Sequence, residues 1–169
     1  MAAGVTYEPI ATNTLTGTAA SVTFSSISGA YTDLVLIVRA SFDVTGDIRF
    51  RINGDTASNY SFTYLYGDGT SAGSIRAANG STGLGDYYGA VTTTLGESNQ
   101  LFSFMNYANA TTYKTVLVRA NRASGGTDAG VNLYRSTSAI TSISLARGSG
   151  FGGTWQTGST FTLYGIKAA

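Results

Sequence analysis

Between residues 48 and 66 the chain repeats apolar side chains with period two, twice over. Ile48, Phe50 and Ile52 alternate with Arg49 and Arg51, and Tyr60, Phe62, Tyr64 and Tyr66 occupy every second position of the next run. Side chains of a strand point alternately to opposite faces, so each run has one face for packing and one for water or a partner. Asn53-Gly54-Asp55 stands between the runs. Asn-Gly supplies the positive φ angles that tight turns need. Two strands about a polar turn are therefore expected here.

The same signals recur along the chain. Strands are expected at residues 5–12, 20–27, 33–41, 47–53, 60–66, 100–107, 113–121, 131–135, 140–147 and 160–166, with a weaker one at 87–95. Pro9 has no N–H to give a ladder, which puts the first strand at an edge. Leu34 to Val38 is a continuous apolar run, expected to be buried on both faces. Residues 71–86 are rich in Gly, Ser and Ala and read as a loop with at most one short strand. Residues 148–158 form a glycine-rich loop carrying the only tryptophan, Trp155. No stretch combines an apolar period near 3.6 with helix caps. About eight to ten short strands broken by turn residues predict an all-β fold, an antiparallel two-sheet sandwich of jelly-roll type. Residues 1–18 are expected as an N-terminal arm or edge strand, packed on or extending from a single β-sandwich domain at 19–169. LVLIVRAS at 34–41 echoes TVLVRANR at 115–122, which two central strands ending in an Arg explain without duplication, because their flanks do not repeat.

Composition removes whole classes of chemistry. With no His and no Cys, histidine bases, Ser–His triads, thiol nucleophiles and the usual zinc ligands are absent. Charged residues make up 11%, against about 25% in an average soluble protein, so the surface must be built from Ser, Thr, Asn, Gly and Tyr. A net charge of +1, with eight Arg and two Lys scattered among nine acids, gives no field for nucleic acid. No apolar run is long enough for a membrane, and the first residues lack the basic and apolar regions of a secretory signal. No cofactor or metal is expected.

Asp55 and Asp68 flank the aromatic run and are the nearest thing to a carboxylate pair of the kind glycosidases use. Both sit in turn sequences, Asn-Gly-Asp and Gly-Asp-Gly, where Asp accepts local backbone bonds instead. An irregular calcium loop at Asp68 lacks the oxygen ladder and closing Glu of an EF-hand. The sequons at Asn59, Asn79 and Asn109 are what a Ser/Thr-rich chain produces by chance. Tyr60, Phe62, Tyr64, Tyr66, Tyr87, Tyr88 and Trp155 are either an aromatic platform for sugars or core and protein contact. The interface expected from sequence comprises Phe151 and Trp155 in the glycine-rich loop, Tyr60, Tyr64 and Tyr66, and Arg49 and Arg51 facing outward toward acids on a neighbour.

Four stretches carry a resemblance: SSISGAYTDLVLIV (25–38), RINGDTASNYSFTYLYGDG (51–69), NYANATTYKTVLVRANRAS (106–124) and the closing 136–169 with FTLYGIK. Together they resemble small β-rich bacteriophage virion structural proteins. The resemblance implies a non-enzymatic role, with no catalytic residues to carry over. The expected function is a multicopy capsid decoration (cement) or head-fibre protein, made in the host cytoplasm and released with the virion by lysis. Its expected partners are copies of itself, as a trimer, and the major capsid protein or other virion proteins. The alternative is a tail-fibre or spike module that recognises host glycan.

Overall fold

The computed structural model describes residues 6–148 and 153–167. Phe151 lies outside the described residues. Twelve strands follow one another: β1 (Tyr7–Thr14), β2 (Ser21–Phe24), β3 (Asp33–Arg39), β4 (Ile48–Ile52), β5 (Tyr60–Gly67), β6 (Ala72–Gly80), β7 (Gly83–Leu84), β8 (Ser98–Met105), β9 (Lys114–Arg122), β10 (Thr127–Tyr134), β11 (Ile143–Arg147) and β12 (Thr160–Ile166). They form two antiparallel sheets, one of eight strands in the order β1-β12-β3-β8-β9-β10-β5-β6 and one of four in the order β2-β11-β4-β7. The expected all-β, two-sheet sandwich is present, and neither sheet closes on itself.

Three pairings nest: β3 with β12, β4 with β11, and β5 with β10. The middle pair lies in the small sheet and the outer two in the large one. The chain thus behaves as a long two-armed ribbon that crosses between sheets and back. The Asn53-Gly54 turn is one crossing. Both residues have positive φ, 54° and 68°, but the turn joins strands of different sheets, since β4 pairs with β11 and β7 while β5 pairs with β10 and β6. The other arm crosses beside it. Asn53 Oδ1 accepts the N–H groups of Thr141 and Ser142 at 2.8 and 3.1 Å, and its Nδ2 donates to Ala139 O at 2.8 Å.

The core lies between the sheets. The alternating residues of the large sheet (Leu34, Leu36, Val38, Phe102, Phe104, Val116, Val118, Phe161, Leu163) meet Val22, Ile48, Phe50, Ile52, Ile143 and Leu145 of the small one. Phe50 packs edge-on against Tyr60, Phe102 and Phe104 at 6.3, 5.9 and 6.0 Å between ring centres, the favoured geometry for aromatic pairs. Asn132 on β10 carries a polar tie across the sandwich. Its Oδ1 accepts Leu84 N–H at 2.9 Å, and its Nδ2 donates to Leu84 O at 2.9 Å and to the Tyr64 hydroxyl at 3.1 Å. Tyr64 in turn donates to Leu84 O. Gly130 lies directly against the Tyr64 ring, where a Cβ would collide with it.

Several expectations need correction. Residues 71–86 hold the nine-residue edge strand β6 and the short β7, not a loop. Residues 87–95 form no strand; only Val91 makes a bridge, to Gly46. The strand expected at 131–135 begins earlier, at Thr127. The run 34–38 is buried on both faces except at Ile37, which is exposed while its outward neighbour Val35 is buried.

Candidate functional site

Two surfaces have the makings of a binding site. The larger is the outer face of the eight-stranded sheet. Its registers align one row through Ile37, Leu101, Arg119, Ala129 and Leu65, and the next through Val35, Ser103, Leu117, Val131 and Thr63. Leu65 is 64% exposed, and Ile37, Leu117, Val131 and Met105 are exposed as well. Hollows of about 810 and 580 Å³ overlap on this face, both lined by Leu65, Leu101, Arg119 and Ala129. Scattered exposed apolar residues are ordinary, but a contiguous set on one sheet face marks an interaction surface.

The smaller surface is aromatic. Tyr66, at the end of β5, stacks on Tyr88 with ring centres 4.9 Å apart and meets Tyr87 at 5.0 Å. Asp128 on β10 holds this cluster in place. Its carboxylate accepts the N–H groups of Tyr87, Tyr88 and Gly89 at 2.7, 2.9 and 2.7 Å. One charged side chain thus satisfies three successive backbone donors, which explains why residues 87–89 need no ladder and form no strand. Tyr87 is exposed and its two neighbours are half-buried.

Of the described residues expected at an interface, Tyr66 alone lies on one of these two surfaces, and Phe151 is outside the described residues. Tyr60 and Tyr64 are fully buried, their hydroxyls turned to backbone groups of the core. Trp155 is 0% exposed, although a tryptophan among glycines was expected to stand outward. Phe42, more than a hundred positions away, and Phe161, on the following strand, pack on the ring at 4.2 and 4.8 Å, and its backbone bridges Ala19 and Phe42. Arg49 is half-buried and already paired, its Nε 2.6 Å from Asp47 Oδ2, rather than free for a neighbour. Arg51 is exposed, with Nε 3.4 Å from Ser81 O.

The carboxylates do local work. Asp55 accepts from Asn59 Nδ2, Ala57 N–H and the Tyr134 hydroxyl, and these bonds hold its carboxyl below the usual carboxylate range. Asp68 accepts the Ser71 and Thr70 N–H groups and both hydroxyls, with the same effect. Each acid closes its own turn, as Gly-Asp-Gly and Asn-Gly-Asp suggested. Asp86 differs. It is fully buried, its Oδ1 accepts Ile48 N–H at 3.0 Å, and its Oδ2 has no hydrogen-bond partner among the described residues. Burial pushes its carboxyl well above the ordinary value. Among the described residues, no three His, Cys, Asp or Glu side chains cluster to hold a metal ion, and no helix is long and apolar enough to cross a membrane.

No protein-family model and no curated protein matches the chain. Among solved structures, the chain is similar to the galectin LEC-6 of Caenorhabditis elegans, at 10% identity and a TM-score of 0.36, over 91% of this chain and 95% of that one. It is also similar to the alginate lyase Aly36B, solved as a double mutant with an alginate tetrasaccharide, at 9% identity and a TM-score of 0.29, over 88% and 81% of the two chains. Scores and identities this low carry no argument about what this chain binds or does.

Proposed function

We propose that this chain is a non-enzymatic virion structural protein, a multicopy capsid decoration or head-fibre protein that docks on another virion protein through the outer face of its large sheet. The observation that carries the reading is that face: β3, β9, β10 and β5 present Ile37, Leu117, Val131 and Leu65 to solvent. A residue run as apolar as 34–38 suits burial on both sides, and on the outer side the chain covers Val35 but leaves Ile37 open. A docked shell protein would cover Ile37. The resemblance of the sequence to bacteriophage virion proteins points the same way. A homotrimer and a jelly-roll topology belong to this proposal, the latter supported by the nested pairings of β3, β4 and β5 with β12, β11 and β10.

Quantitative mass spectrometry of purified virions tests it. Hundreds of copies per particle, and re-addition of purified protein to stripped shells, are the expected results; absence from the virion overturns the proposal. A second reading, recognition of host glycan by a tail module, is favoured by one observation. The Tyr66–Tyr87–Tyr88 cluster is a clamped, partly exposed aromatic surface, and aromatic faces stack on apolar sugar faces. Copies numbering only tens, with glycan-array binding lost in Tyr87→Ala, would favour that reading over docking on the shell.

A further inference from the structure

The outer face of the large sheet is basic as well as apolar. Arg39, Arg76 and Arg119 all project from it: Arg39 pairs in register with Asn99, Arg76 with Thr63, and Arg119 with Leu101 and Ala129. All three are exposed, and their guanidinium groups have no hydrogen-bond or ion-pair partner among the described residues. A fourth cation, Arg135, stands at the rim and is held by neutral groups only, the Ser61 hydroxyl, Ser58 O and Asn79 Oδ1 at 3.1, 2.9 and 2.9 Å. Of the acids, only Asp33 has the parity of this face. It lies at the end of β3, where its carboxylate already accepts Asn106 N–H at 2.5 Å. Elsewhere the molecule pairs its charges, Arg49 with Asp47 and Lys167 with Glu8. Arg51 and Lys114 also meet only carbonyl groups; what sets the open face apart is that its cations stand among exposed apolar residues.

We infer that the occupant of this face is a protein surface with an apolar centre and Asp or Glu side chains set against Arg119, Arg39 and Arg76. This rests on the docking proposed above and deepens it by giving the partner's chemistry. Arg119 decides the matter, because it stands in the apolar row between Leu101 and Ala129 rather than at a margin. An apolar partner seated there strips water from a guanidinium, and a carboxylate opposite it is the strongest compensation, through charge-assisted paired hydrogen bonds. A second copy docked face to face would bring three more arginines to the interface, and among the described residues its one acid of this parity, Asp33, is already hydrogen-bonded. A nucleic acid strand is disfavoured too: the outward positions of β8, β9 and β10 hold no aromatic side chain on which bases could stack.

The test is rebinding of the full chain to virion shells stripped of it, with Arg119→Glu, Arg119→Lys and Leu117→Asp compared and the melting temperature of each followed. Wild type should bind, and more weakly as salt rises from about 50 to about 500 mM. Arg119→Glu should lose about tenfold or more in affinity while Arg119→Lys keeps most of it. Loss in Leu117→Asp alone, with neither salt nor Arg119→Glu having an effect, overturns the acidic partner and leaves apolar docking standing. Displacement of the chain from the shell by heparin or a poly-dT strand overturns it in favour of a polyanion. Dimerisation of the free chain that Leu117→Asp abolishes overturns it in favour of a second copy. Failure of wild type to bind the shells overturns the docking proposal itself.

Discussion

Asp86 and Trp155 are the two residues whose roles depend most on burial. The Asp86 carboxyl is favoured in its protonated form by burial, first of all, against the pull of its bond from Ile48 N–H. Its folded value therefore lies above the unfolded one. The stability it contributes is fully present below the ordinary value of 3.8 and is lost as pH rises through the folded value. Asp86→Asn keeps the shape and removes the titration, so its melting temperature should match wild type in acid and exceed it increasingly toward neutral pH. Thermal melts of both proteins across pH check this, and a difference independent of pH would refute it. Trp155 is held by two aromatic rings and by a bond from its Nε1 to Leu145 O at 3.4 Å. Trp155→Ala should cost about 3–5 kcal/mol in urea unfolding. That burial was not legible in the sequence, because the residues that cover the indole lie more than a hundred positions away or beyond a glycine-rich stretch. Alternation shows that a side chain has a face. It does not show what the face meets, and so Tyr60 and Tyr64 stayed open between core and contact until the small sheet was seen above them.

The elements that sequence made legible are those whose two faces differ in chemistry. β4, β8, β9 and β12 alternate buried and less buried residues as their patterns require. β6 was not legible because all its residues but Ile75 are small or polar, and as an edge strand it packs only that one large apolar side chain on the core. The 87–95 segment misled in the opposite way: it has strand-like residues, but the Asp128 carboxylate, forty positions on, takes its N–H groups. The Asn53-Gly54 turn was legible as a turn and not as a crossing between sheets, since its partners at 139–142 lie on the other arm of the ribbon. That double role makes a prediction. Asn53→Ala loses four side-chain hydrogen bonds and strains a backbone at φ 54°, and should destabilise by about 2 kcal/mol or more. Asn53→Gly relieves the backbone and still lacks the bonds, so it should fall between Ala and wild type. Equal losses in the two variants, read from denaturant melts, would mean that the φ angle contributes nothing.

At the scale of the whole molecule the sandwich is lopsided, and the lopsidedness carries the functional argument. A four-stranded sheet covers one face of an eight-stranded sheet, and the other face of the larger sheet is left to solvent. The two edges of that sheet are unlike as well. β1 is blunted by Pro9 and by a register shift between Pro9 and Ala11, devices that discourage strand addition. β6 carries no proline along its length. A chain folding only for itself gains nothing from leaving leucine, isoleucine and valine side by side in water. The sequence carries a sign of this in the run 34–38, an uninterrupted apolar stretch that the chain buries everywhere except at Ile37. If the outer face exists to be covered by a partner, replacing its apolar residues should separate folding from assembly. The triple variant Leu65→Ser, Leu117→Ser, Val131→Ser removes three exposed side chains and no buried one. Each change should alter monomer stability by no more than about 0.5 kcal/mol, as for surface positions generally, while the number of copies retained on purified virions drops severalfold by quantitative mass spectrometry. A stable variant that loads onto particles as wild type does would move the search to the Tyr66–Tyr87–Tyr88 surface. A variant that fails to fold would show that these residues support the sheet itself.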